Sequence, residues 1–303
     1  MVTFNVDSLD FIDDEEARFG ADTDFAARFD SANSRLELED LTNATVGYIP
    51  QNVGTDLVGG KFAETVSEGK ALADDGNVYD TIQEAENAAS SWVKVGPGDF
   101  RESVTIDTAG LTLEGSGERS KINGGQNSSV NVNSSDVTVR DISATGSKNG
   151  SIALFSDSFA TSFINCSVTG ANGGIQAQGD EAIVANCRVE DTGGNGIRAS
   201  TNSITYNCTV KGAANTGWLV YAGGNGDNAI IANCVVTDSG NEGITYFTND
   251  GIVIANRVDG SASNGINAGG NDIIIANNRV SNSGGDDVFD DGTGNVLDAN
   301  LVT

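Results

Sequence analysis

Residues 230–280 read IIANCVVTDSGNEGITYFTNDGIVIANRVDGSASNGINAGGNDIIIANNRV, a phrase that returns to the same valine at Val236, Val258 and Val280. Working outward from it, FINCSV ends at Val168, IVANCRV at Val189, ITYNCTV at Val210 and VLDANLV at Val302, so that successive offsets are 21, 21, 26, 22, 22 and 22. A second marker, an apolar residue usually preceded by glycine, recurs at Ile175, Ile197, Trp218, Ile244, Ile266 and Val288 with the same single insertion. A repeat of this length, made of short apolar runs between Gly, Asn and Asp turns, cannot bury its apolar face alone. Its copies must stack, and one copy is one coil of a parallel β-helix. Two residues before each anchor valine stand Cys166, Cys187, Cys208, Cys234, Asn256, Asn278 and Asn300. This is read as an inward-facing ladder. Stacked coils lie about 4.8 Å apart, whereas a disulfide wants its Cβ atoms about 3.8 Å apart. The cysteines are therefore expected to be free, buried thiols that continue an asparagine ladder.

The remainder of the chain divides into three. Short alternating runs in residues 1–50, such as FNVDSLDF and ATVGYIP, predict a small β-rich module for attachment or oligomerisation. Residues 51–77 lack sustained alternation and carry glycine breaks, which predicts a connector with one short helix. Tyr79–Ala89 predicts a helix with Asp80 as its N-cap and Ile82, Ala85, Ala88 and Ala89 as its apolar stripe, placed to cap the stack in residues 78–303.

The chain of 303 residues holds 43 acidic and 16 basic side chains, a net charge of −27, and no histidine. That balance repels nucleic acid and anionic membranes. With six lysines it looks like the surface of a protein from a salt-loving organism, where molar salt screens self-repulsion within about 3 Å. No stretch reaches the roughly 20 apolar residues of a membrane span. The opening MVTFNVDSLDFIDDEE lacks a basic n-region and an apolar h-region, so the chain is expected to be made and kept inside the cell, or to leave it inside a particle.

The helix Thr81 to Ala89, then VKVGPGDFRESVTID, LTLEGSGERSKING and the repeated coils, resemble the pectate-lyase-like superfamily of right-handed parallel β-helices over about 225 residues. The resemblance implies an all-β, right-handed, single-stranded parallel β-helix. That scaffold carries lyases, hydrolases, epimerases and viral tail spikes alike, so fold does not assign activity. The Gly-His-Gly and Arg-x-Lys of polygalacturonase-like members have no counterpart here. Lyase members hold calcium on carboxylates beside a basic residue, and the nearest match is Asp286, Asp287, Asp290 and Asp291 in GDDVFDDG. These four are the candidates for calcium or for an acid/base pair; a solvated acidic turn is the plainer reading. Arg188, Arg198, Arg257 and Arg279 form either a basic stripe or ion pairs with nearby carboxylates. Trp218, Tyr221, Tyr246 and Phe247 form either a glycan-stacking shelf or ordinary core aromatics. Residues 17–40, ARFGADTDFAARFDSANSRLELED, resemble the short β modules that open virion fibre and decoration proteins of tailed viruses, including those of haloarchaea.

Two functions compete. One is a virion structural protein, a capsid spike or a tail fibre, docked to other virion proteins through residues 1–50 and projecting the β-helix toward a host-surface glycan or glycoprotein. No cofactor is then needed. Because the sequence stops at the anchor of a coil, with uncovered strands, this reading expects a homo-oligomer, most simply a trimer. The other is a polysaccharide lyase or glycoside hydrolase that acts on acidic surface glycans through the aspartates named above. An adhesin on a cell surface is the third and weakest reading.

Overall fold

The computed structural model describes residues 67–220 and 228–303, together with six strands among residues 16–66. Contacts divide the chain into residues 1–67 and residues 68–303. In the first unit Glu16–Phe19, Phe25–Asp30, Arg35–Asp40 and Thr45–Pro50 form an antiparallel meander in chain order.

Residues 51–77 are not the helix-bearing connector that their composition predicts. Val53–Val58 and Lys61–Val66 pair as an antiparallel hairpin, and Ala71–Ala73 already pairs with Trp92–Val95 of the solenoid. The glycines that read as breaks include Gly59-Gly60, which lie in sequence between the two strands and outside the described residues.

The second unit is a right-handed parallel β-helix. Each coil contributes one short strand to each of three parallel sheets, here called the ladder sheet, the valine sheet and the glycine sheet. The glycine sheet runs through nine coils, from Val104–Ile106 to Val288–Asp290. Inward positions repeat in register: Phe163, Val184, Thr205, Ile231, Val253 and Ile275 stack down the ladder sheet. Val168, Val189, Val210, Val236, Val258 and Val280 stack down the valine sheet. All of these are fully buried. Only Thr205 among them is polar, and its hydroxyl has no partner.

Between the ladder sheet and the valine sheet the chain turns through a single left-handed residue, with φ of 54° at Asn165, 55° at Asn186, 53° at Asn207 and 56° at Asn277. Asparagine tolerates that conformation better than most side chains. The next residue is thereby aimed inward, which is how the ladder residue comes to sit in the core. The glycine of the second marker has a different cause. A Cβ on Gly196, Gly217 or Gly243 would lie 2.3 Å from a methyl of the anchor valine in the following coil, so these positions take no side chain.

The helix is Ile82–Ala88, and its N-cap is Thr81 rather than Asp80. Thr81 accepts from Glu84 N–H while the Glu84 carboxylate accepts from Thr81 N–H, a reciprocal capping box that Asp80 is one residue too early to make. Asp80 pairs with Lys70 instead. Glu102 accepts from the Ile82 and Gln83 amides at 3.0 and 3.1 Å, and the buried Glu86 accepts from Asp107 N–H at 3.0 Å, which ties the helix to the first coils. In the last coil Leu297 and Val302, which continue buried rows, are 48% and 51% exposed.

Candidate functional site

The seven ladder residues stand one per coil, all close to the turn between the ladder and valine sheets. In the last coils their amides run continuously. Asn278 Oδ1 accepts from Asn256 N–H at 2.9 Å and from Asn256 Nδ2 at 3.1 Å, and Asn300 Oδ1 accepts from Asn278 in the same way at 3.0 and 3.1 Å. Each Nδ2 also donates to a backbone carbonyl of the preceding coil, that of Ile231, Val253 or Ile275. In the earlier coils the four cysteines are free and buried. Their sulfurs donate to carbonyls at longer range, as Cys208 does to Val184 and Tyr206 at 3.5 and 3.3 Å. Burial and then the neighbouring Cys187 sulfur push the Cys166 thiol up, away from the thiolate. An inert, uncharged thiol of this kind is packing material.

Asp286, Asp287, Asp290 and Asp291 do not gather. Among the described residues no three His, Cys, Asp or Glu side chains lie close enough to hold a metal ion. The reason is local geometry: Val288–Asp290 is a strand, so successive side chains leave on opposite faces. Asp290 Oδ1 is already engaged, accepting from Gly292 N–H at 3.1 Å and from Asn295 Nδ2 at 2.5 Å. No preformed donor set for calcium stands there among the described residues.

The aromatic shelf does not form as the spacing implied. Tyr246 is fully buried and donates its hydroxyl to Ala229 C=O at 2.5 Å. It ends a glycine-sheet strand, where the third position faces in. Phe247 follows it, 42% exposed, and lies across Gly269 of the next coil, where a Cβ would meet its ring at 2.6 Å. Tyr221 and the Trp218 side chain lie outside the described residues.

The arginines divide between two faces. Arg198 is on the outer row of the glycine sheet, in register with Gln176 and Leu219. Arg188, Arg257 and Arg279 are on the valine sheet. Arg188 pairs with Glu190 at 2.7 Å and Arg257 with Asp259 at 3.3 Å. Hydrogen bonds from Asn282 and Ser281, then Arg257, hold the Asp259 carboxyl below its ordinary range.

What the spacing did not single out is a shallow cleft of about 500 Å³ on the outside of the first coils of the glycine sheet. Ser103, Thr105, Asn131, Ser151, Phe155 and Asn172 line it. Asn131 donates to Asn133 Oδ1 at 2.8 Å, and Asn133 in turn donates to Asp107 at 2.9 Å, which fixes the first amide. The outer row continues from Thr105 through Asn131, Phe155 and Gln176 to Arg198. Hydroxyls, amides and the half-buried Phe155 ring form a surface able to meet sugar hydroxyls and a pyranose face. A row of carboxylates for bond cleavage is not part of its lining.

Among the described residues no helix is long and apolar enough to cross a membrane. No curated protein matches the sequence. Several solved structures share the fold. The chain is similar to the A-module of a mannuronan C-5 epimerase from Azotobacter vinelandii, with 17% identity and a TM-score of 0.64 over 78% of this chain and 75% of that one. It is similar to the enzymatically active domain of tailspike protein 2 of bacteriophage CBA120, with 10% identity and a TM-score of 0.51 over 96% of this chain and 50% of that one. A protein of Geobacillus virus E2 aligns with 13% identity and a TM-score of 0.53 over 94% of this chain and 69% of that one. At these identities the likeness speaks for the fold alone. Residues 102–230 match the family described as "Right handed beta helix region", the same architecture that the stacked coils build.

Proposed function

We infer that the chain is a surface-projecting β-helix of a virion, a spike or fibre, that contacts a host-surface glycan without cleaving it. The observation that carries the reading is the cleft lined by Ser103, Thr105, Asn131, Phe155 and Asn172, which offers hydrogen bonds and a ring face but no acid/base pair. Two viral proteins stand among the solved structures that share the fold, which fits the virion half. On this reading residues 1–50 dock to other virion proteins, the assembled form is a homo-oligomer such as a trimer, and the charge of −27 suits a high-salt medium.

The test is a screen of the full chain in molar salt against neutral and acidic surface polysaccharides, scoring both retention and product release. Retention that is lost in Asn131→Ala and Phe155→Ala, with no new reducing or unsaturated ends, is the expected result. Release of oligosaccharides would replace it with the second reading, a lyase or glycoside hydrolase on acidic glycans. Retention unaffected by both substitutions would remove the cleft from the account.

A further inference from the structure

On the outer face of the ladder sheet, Ile183, Ile204, Ile230, Ile252, Ile274 and Val296 stand directly above one another, one per coil over six consecutive coils. Ile204, Ile274 and Val296 are 41%, 43% and 53% exposed. The neighbouring row runs Ala185, Tyr206, Ala232, Ile254 and Ala276 without a charge and ends on Asp298 in the last coil; Ala185 and Ala276 are buried in it. Before Ile183 the same outward positions hold Thr112, Thr138 and Ser162, so the apolar strip begins abruptly. Isolated apolar residues on a surface need no explanation, but a continuous strip does. It does so all the more in a chain of net charge −27.

The edges of this strip differ in sign. The turn that leads into the sheet carries the exposed Glu181, Asp250 and Asp272. The strand that leaves it carries the exposed Arg188, Arg257 and Arg279 at its near end, with Glu190 and Asp259 paired to the first two at its far end. Turning one copy about an axis parallel to the solenoid lays its basic edge on the acidic edge of its neighbour and keeps the coils level. Turning it about an axis along the strands lays acid on acid and base on base. Opposed like charges reject that second arrangement. The strip also repeats every 4.8 Å or so, a period that only another stack of coils matches along its whole length.

We propose that this isoleucine face is a self-association surface, occupied by the same face of a second copy of the chain, with the solenoids parallel and the symmetry axis along them. The argument rests on the face and its edges, independently of any glycan or virion role. Closed rotation about such an axis accommodates two copies or three.

The experiment is light scattering on the full chain across the micromolar range, with two double variants. Ile204→Asp with Ile252→Asp is expected to weaken association on the order of a hundredfold, at unchanged circular dichroism. Ile204→Thr with Ile252→Thr, which keeps the β-branched backbone preference, is expected to weaken it on the order of tenfold. A wild-type chain that stays monomeric, or variants that keep the wild-type mass and affinity, would overturn the proposal. So would a monomer that loses stability in the variants, since the strip would then be covered within one chain. Polarity is read with Ile183→Cys and a short bis-maleimide: parallel copies link Ile183→Cys to itself. Linkage only in a mixture with Val296→Cys, roughly 24 Å along the face, would overturn the parallel arrangement.

Discussion

The ladder is sulfur in its first four coils and amide in its last three, and the two halves hold the same place in the same repeat by different physics. In the amide half Asn256 and Asn278 each join three coils, and Asn300 two, through hydrogen bonds of 2.8 to 3.1 Å. In the sulfur half the bonds to carbonyls are 3.2 Å or longer, and what the cysteine supplies is fit and apolar contact. The junction is Cys234, whose backbone N–H is accepted by Asn256 Oδ1 at 2.8 Å, so the amide half reaches one coil into the sulfur half. A solenoid position can thus be filled either by a group that binds its neighbours or by one that merely leaves no void, provided it is small and uncharged.

The comparison makes unequal demands on substitution. Asn278→Ala should cost the most, about 3 to 5 kcal/mol, because it strands the Asn256 N–H and the Val253 carbonyl in the core as well as removing their bonds. Urea melts of variant and wild type measure it, and a loss under about 1 kcal/mol would mean the ladder amides are interchangeable with packing. Cys208→Ala should cost about 1 to 2 kcal/mol, for a small cavity and two weak bonds. If it matched Asn278→Ala in the same melts, the distinction between the halves would collapse. Cys234→Asn should stay within about 1 kcal/mol of wild type, since the new amide would extend a ladder that already abuts it. A larger loss would place a steric limit on how far the amide half can grow.

Two further measurements sharpen the contrast. An aqueous thiol reagent at pH 8 should label none of the four buried cysteines in the folded chain and all of them in denaturant. The response to acid should come from the rim of the solenoid, because the ladder holds no carboxylate and no imidazole. Hydrogen bonds from Ser90 and then Ser91 hold the Asp74 carboxyl well below the usual carboxylate range. Its folded value is depressed, so its contribution is complete above the unfolded value near about 4 and is lost as pH falls through the folded one. Asp74→Asn should therefore destabilise the chain at pH 7 and progressively less below about pH 4, whereas Asn278→Ala should cost the same at both.

Much of this was written in the spacing. Regular offsets from Val168 to Val302 located the three sheets and the ladder, because a stacked fold must repeat whatever faces inward. The end of the predicted helix that failed, Asp80 for Thr81, failed by one residue because both can cap and only the reciprocal bond from Glu84 decides between them. Tyr246 was open to misreading since a glycine-marked strand names its register but not which of its ends turns inward. The hairpin of Val53–Val66 was missed because its two strands alternate too weakly to stand out from a turn-rich background. The isoleucine face had a signal that passed as part of the anchor phrase: paired apolar residues such as Ile183-Val184 and Ile274-Ile275 place one side chain on each side of a strand. The cleft had none, because its residues lie in the early coils, where the repeat of the valine phrase had not yet begun.

The helix closes the solenoid at its first coils, and the last three described coils share one spacing of 22 residues in all three sheets. Length in such a molecule is a heritable variable with a fixed step. An in-frame duplication of 22 codons adds a coil, and about 4.8 Å of reach, while leaving the closed end and every existing register untouched. Small-angle scattering on a chain so lengthened would read the step directly.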